Sequence, residues 1–166
     1  MGLMGLSACG ADEPSRPVGT SSAYARMLRL LYKHTVPTVA PATLAGELNQ
    51  TDAPLLLDAR TPDEYAVSHL LGAQLVPYAE VPTVEFSGVD RNRPVVVYCS
   101  VGYRSERLGD RLRALGFQHV RNLYGGIFEW VNEGHVVVDA QGPTARVHPY
   151  SALWGIWLKR GRKAYQ

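Results

Sequence analysis

Cysteine is nearly absent from this chain: 166 residues hold two, Cys9 and Cys99. That excludes a disulfide framework, and neither thiol has metal-type spacing. Charge of one sign is missing as well. The formal net charge is +2, too small a field to argue for a nucleic-acid partner. No apolar run reaches the roughly 18 residues that a membrane-spanning helix needs. There is no internal repeat. His34, His119, His135 and His148 show no metal spacing and read as structural or solvated side chains, and His69 as a packed, hydrogen-bonded one. No metal and no cofactor are expected. What is present is a hydrophobic fraction of 46% in a chain of one-domain size, enough for a sizeable core.

The first 21 residues differ from the rest. A short apolar piece passes into small, polar, proline-bearing sequence, which reads as a flexible tether. Leu6-Ser7-Ala8-Cys9 resembles a bacterial lipobox, although no Lys or Arg precedes it and the apolar piece is short. The resemblance implies a signal remnant, acylation of Cys9, membrane anchoring and a place in the cell envelope as a periplasmic lipoprotein. The alternative is a cytoplasmic protein with a frayed tail and an inert Cys9.

Beyond residue 21 the pattern is periodic. Tyr24, Met27, Leu28 and Leu31 fall on one helical face, predicting an N-terminal helix over 22–35. TVPTVA reads as a short strand and PATLAGELNQ as a helix with Pro41 near its start. PLLLDAR is a buried strand. TPDEYAVSHL is a helix with Thr61 as N-cap, Pro62 at the first position and Glu64 at the third. GAQLVP and RPVVVYC are strands. RSERLGDRLRALGF is a helix closed by Gly116, QHVRNLYGG a strand and turn, and IFEWVNEG a helix. Gly125-Gly126 reads as a tight turn opening that helix. Strands alternating with helices predict an α/β fold: three layers, a mostly parallel five-stranded sheet, helices on both faces. Chemistry in such sheets sits beyond the carboxyl ends of the strands.

Cys99 stands at such an end, where VVVYC meets SVGYRS. Gly102 can take φ > 0, successive backbone N–H groups in such a turn form an anion-binding nest, and the following helix adds its positive end. An ordinary thiol has a pKa of about 8.5, and aligned donors with a nearby arginine favour its thiolate. The loop suits a reactive cysteine that attacks or holds something anionic. The plainer reading is a structural cysteine at a strand end.

CSVGYRS resembles the active-site loop of single-domain rhodaneses, a sulfurtransferase family with C-x-x-G-x-R-S. LLLDARTPDEYAVSHLLGAQLVP resembles the family's D-x-R stretch, and LGFQHVRNLYGGIFEWVNEGHVVV its closing segment. Ser68, Leu71 and Val136 depart from the family pattern at scaffold positions. The resemblance implies a rhodanese domain over 36–138, and residues 139–166 read as an added C-terminal extension with an aromatic and basic helix. It implies a covalent transfer. Cys99 attacks the outer sulfur of a small anionic donor such as thiosulfate, holds it as a persulfide, and gives it to a thiol, a protein acceptor or cyanide. The backbone of Ser100, Val101, Gly102, Tyr103, Arg104 and Ser105 would bind that sulfur.

Supporting roles are less determined by the sequence. Arg104 either meets the donor or folds back on Glu106 or Asp58. Asp58 and Arg60 read as scaffold, with Arg60 pairing Glu64 at the pocket rim. In the tail, Trp154, Trp157 and Leu158 are expected to pack on the domain as a helix, with a membrane-surface role as the lesser option. Two rival functions remain. Cysteine phosphatases and arsenate reductases share the fold but need a larger loop than the six residues Cys99–Arg104. Non-catalytic rhodanese-like modules commonly lack the cysteine that is kept here.

Overall fold

A computed structural model of the chain describes residues 19–79 and 86–166. Cys9 and its lipobox-like surroundings lie outside the described residues. Among the described residues no helix is long and apolar enough to cross a membrane, and no cluster of three metal-ligating side chains exists.

Helix α1 (Ser22–Leu31) is capped by the Ser21 hydroxyl, which accepts from the Tyr24 N–H. It leads to β1 (Thr38–Val39) and α2 (Pro41–Glu47). Strand β2 (Leu55–Asp58) is followed by α3 (Pro62–Val67) and β3 (Gln74–Leu75). The Thr61–Glu64 capping box that opens α3 is complete in both directions. Next come β4 (Val95–Tyr98), α4 (Tyr103–Ala114), β5 (Val120–Leu123) and α5 (Gly126–Asn132). The order across the sheet is β1-β5-β4-β2-β3, and every pairing is parallel. The α/β architecture expected from the alternation is therefore present, with β4 at the centre.

Side chains alternate across the strands with period two, which divides the core in two. Leu56, Val96 and Tyr98 face α1, α2 and α5. Leu55, Leu57, Val95, Val97 and Cys99 face Leu108 and Leu112 of α4. Both faces of β2 and β4 are covered, as a parallel sheet requires.

The two extensions depart from expectation. The N-terminal helix stops at Leu31, short of 35. The Lys33 and Thr35 amides donate instead to the buried Glu106 carboxylate, at 3.0 Å each, a stronger acceptor than a helix carbonyl. The tail is not a helix. It folds as the ribbon β6 (Val137–Asp139) and β7 (Gly142–Thr144), then β8 (Arg146–Val147), a short 3-10 turn Trp154–Trp157, and β9 (Arg162–Lys163) beside β8. Pro149 and the glycine at 161, whose φ is +82°, break any helical run. The aromatics do pack on the domain: Trp157 stacks on Tyr24 with ring centroids 5.3 Å apart, and its carbonyl accepts from the Asn132 amide. His69 stacks on Tyr65 and bonds its carbonyl at 3.0 Å, the packed role expected of it.

Candidate active site

The hydrophobic β4 ends at Cys99, and the chain turns through Ser100–Gly102 into α4. Gly102 caps that helix at φ +106°. A side chain there would be strained and would strike the Tyr32 ring. The Gly102 N–H reaches Cys99 Sγ at 3.1 Å, and the Ser105 hydroxyl lies 3.5 Å from the same sulfur. The N–H groups of Tyr103, Arg104 and Ser105 belong to the first turn of α4 and have no acceptor within the helix. Cys99 is only 1% exposed, and it lines a pocket of about 200 Å³ together with Leu31, Ser100, Val101, Tyr103, Arg104, Tyr150 and Trp154.

The loop is held from behind by three groups: the start of α5, Asn122 and Tyr32. The first N–H groups of α5, Ile127 and Phe128, donate to the carbonyls of Cys99 and Ser100 at 2.9 and 3.2 Å. Gly126, at φ +61°, permits this approach, since a Cβ there would collide with both carbonyls. Asn122 of β5 donates to the Gly102 carbonyl at 2.9 Å and accepts from the Ser105 hydroxyl at 2.7 Å. Tyr32 donates to the Val101 carbonyl at 2.6 Å and accepts from the Gly125 N–H at 3.0 Å. Burial pushes the Tyr32 phenol well above its ordinary range, so it remains a donor at any physiological pH.

Arg104 folds back, but onto Glu64 rather than Glu106 or Asp58. The pair is bidentate, 2.7 and 2.8 Å, and the Ser100 hydroxyl joins it by donating to Glu64 at 3.0 Å. Burial raises the Glu64 carboxyl, but the bonds and charge of Arg104 outweigh this and hold it down at about 2. Arg104 also lies under the Tyr150 ring, 4.9 Å from its centroid. The expected Arg60–Glu64 pair is therefore corrected. Glu64 is taken by Arg104, and Arg60 pairs with Asp58 through four contacts of 2.6–3.2 Å. Asp58 and Arg60 are both fully buried and outside the pocket lining. Arg60 also donates to the Ser68 carbonyl at 2.7 Å, so the pair ties the end of β2 to the segment after α3.

The structure thus brings together Cys99, the loop 100–105 and Arg104, and leaves Asp58 and Arg60 beneath them as scaffold. The sequence reading missed Asn122, Tyr32 and the pocket walls from the extensions. A polar Asn at an inward position of the strand V-R-N-L was a signal for the first. Nothing local marked Tyr32 or Tyr150, whose partners Val101 and Arg104 are distant in the chain.

The family model described as Rhodanese-like domain matches residues 40–133. The chain is 35% identical over 100 residues to a sulfurtransferase of Allochromatium vinosum, covering 60% of this chain and 92% of that protein. It is 36% identical over 70 residues to the thiosulfate sulfurtransferase PspE of Escherichia coli, covering 42% and 67%. The rhodanese-like domain of an Anabaena protein, solved in solution, superposes with a TM-score of 0.57 at 26% identity over 62% of this chain and 79% of that one. The family match spans more than half of the sequence and runs from α2 to α5, including the whole loop that surrounds Cys99. With it, the chain belongs to the rhodanese-like domain family, and its relatives include sulfurtransferases.

Proposed function

We propose that the protein is a sulfurtransferase that carries sulfane sulfur on Cys99. The observation that supports this most is the Cys99 sulfur at the focus of a six-residue loop, with the Gly102 N–H at 3.1 Å and the first turn of α4 beside it. The Cys99 thiolate attacks the outer sulfur of the donor. The bond between that sulfur and the rest of the donor breaks, the leaving group departs with the electron pair, and a persulfide remains on Cys99. With thiosulfate the leaving group is sulfite. Cyanide or a thiolate then takes the outer sulfur and returns Cys99 as thiolate, giving ping-pong kinetics. The terminal sulfur of the persulfide carries the charge, and the loop amides are fixed donors for it.

Arg104 does not act as a free cation in this scheme. Its guanidinium is occupied by Glu64 and Ser100, so its role is to fix the loop. The six-residue span also disfavours phosphate chemistry, because three equatorial oxygens need a wider ring of donors. The test is Cys99→Ser, which keeps volume and polarity close to native. It should fold normally and form no thiocyanate from thiosulfate and cyanide. Wild-type-like transfer in that variant, or faster hydrolysis of aryl phosphates than sulfur transfer in the native protein, would overturn the reading.

A further inference from the structure

Three of the eight residues that line the pocket above Cys99 lie outside the family-matched segment. Leu31 comes from α1, and Tyr150 and Trp154 from the C-terminal extension. With Val101 and Tyr103 they make a wall of aromatic and aliphatic surface. The one charged residue in the lining, Arg104, is already neutralised by Glu64 and covered by Tyr150. The next cation along α4, Arg107, lies over the Tyr103 ring at 3.7 Å and is not part of the lining. The site can therefore receive one negative charge, at the loop amides. Among the described residues, its lining offers no second cation to a donor's far end.

Tyr150 is fixed over this opening. It sits at φ +65°, a left-handed conformation that a bulky residue rarely adopts. Its N–H donates to His148 Nδ1 at 3.0 Å, and the Ser151 N–H donates to the Pro149 carbonyl at 2.7 Å. His148 in turn meets Tyr165 edge-on at 5.2 Å. The Tyr150 ring is half exposed. Strain of this kind, held by its surroundings and located beside a reactive group, points to a functional wall.

Resting on the sulfur-transfer reading above, we propose that the pocket selects a singly charged organic donor, R–SO2–S⁻, in which R is a ring-sized apolar group packed against Tyr150 and Trp154. The charge of such a donor is on its sulfane sulfur, where the loop amides are. Its sulfonyl group is neutral, and R meets apolar surface. Thiosulfate instead carries a second charge into that wall, where its oxygens lose water without gaining a cation. The step balances. The Cys99 thiolate and R–SO2–S⁻ give the Cys99 persulfide anion and the sulfinate R–SO2⁻. The S–S bond to the cysteine forms as the bond between sulfane sulfur and sulfonyl sulfur breaks, and no proton or external electron is needed.

The test compares benzenethiosulfonate with methanethiosulfonate, donors of equal charge that differ in R, with thiosulfate as a third arm and cyanide as acceptor. The readout is the ratio of kcat/KM for benzene- over methanethiosulfonate, divided by the same ratio for their uncatalysed reaction with cyanide. We expect about a tenfold ratio for the full chain, equivalent to about 1.4 kcal/mol. It should fall towards one in Trp154→Ala and in Tyr150→Ala, and stay near native in Trp154→Phe. Tyr150 is exposed enough that its truncation tests the wall even where Trp154→Ala unfolds, and thermal unfolding of each variant identifies that case. A ratio near one in the native chain, or one unchanged in both alanine variants, would overturn the proposal alone. No thiocyanate from any of the three donors would overturn the sulfur-transfer reading along with it.

Discussion

The floor of the pocket and its roof are built differently. The floor, Cys99–Ser105, is backbone held by buried, directional bonds from Asn122, Tyr32 and the start of α5. Gly102 within it and Gly126 behind it leave no room for a side chain. The roof, Tyr150 and Trp154, is ring surface; short-range bonds hold its backbone, and its rings meet the site through packing and one cation–π contact. Hydrogen-bond geometry tolerates errors of a few tenths of an ångström, whereas apolar surfaces are fungible in shape and respond to volume. The difference separates reaction from selection. The floor must place donors within bonding distance of one sulfur atom, for any substrate. The roof only has to match the rest of the donor. Changes to the floor should reduce transfer from every donor together, and changes to the roof should redistribute it among donors.

The sharpest way to break the floor is Gly126→Ala. The left-handed conformation costs about 1–2 kcal/mol for an alanine, and its methyl group would force apart the Cys99 and Ser100 carbonyls. Together these should destabilise the protein by about 3 kcal/mol and lower transfer about a hundredfold for all donors, measured by chemical denaturation and thiocyanate release. Tyr32→Phe comes next. It strands the Val101 carbonyl and the Gly125 N–H in the interior, at about 2 kcal/mol, and should lower transfer about tenfold without changing the preference among donors. A donor-specific loss would show that the floor also selects.

The Glu64–Arg104 pair joins the two regions and has a pH signature. The Glu64 carboxyl lies at about 2 in the folded protein, below its ordinary 4.5. Its contribution to stability is therefore complete above pH 4.5 and is lost as the pH falls towards 2, on the order of 3 kcal/mol in all. Denaturation midpoints measured from pH 6 down to pH 3 should fall less steeply in Glu64→Gln than in the native protein. Parallel profiles would remove this pair from the account. The smallest effect belongs to a pair away from both regions, Glu47–Arg121, where both side chains are about one-third exposed. Glu47→Gln should change stability by no more than about 0.5 kcal/mol and leave transfer unaltered.

Most of the floor was legible in the sequence because its causes are local. The apolar run ending at Cys99, the glycine at 102 and the polar start of α4 are contiguous, and the α3 capping box was readable from T-P-D-E alone. The alternation of strands and helices carried the sheet for the same reason, since each period is set by neighbouring residues. What was not legible depends on distant pairings. Glu64 read as a helix cap and as the partner of Arg60, and only the folded chain shows that its carboxylate bonds Arg104, 40 residues on. Arg60 had two acidic neighbours within reach in sequence, and the fold gives Glu64 to Arg104 and leaves Asp58 to Arg60. The tail misled because aromatic spacing at 154, 157 and 158 imitates a helix, while Pro149 and Gly161 limit it to one 3-10 turn.

The central claim is that Cys99 is the sulfur carrier and that its loop stabilises the loaded state. Intact-mass spectrometry of the native chain after brief thiosulfate treatment and desalting tests it most directly. The account expects the addition of one sulfur atom, located on the peptide containing Cys99, removed by cyanide with formation of thiocyanate, and absent from Cys99→Ser. A native chain that gains no sulfur from thiosulfate or from either organic thiosulfonate, or one that carries its sulfur on Cys9 with Cys99 unmodified, would contradict it.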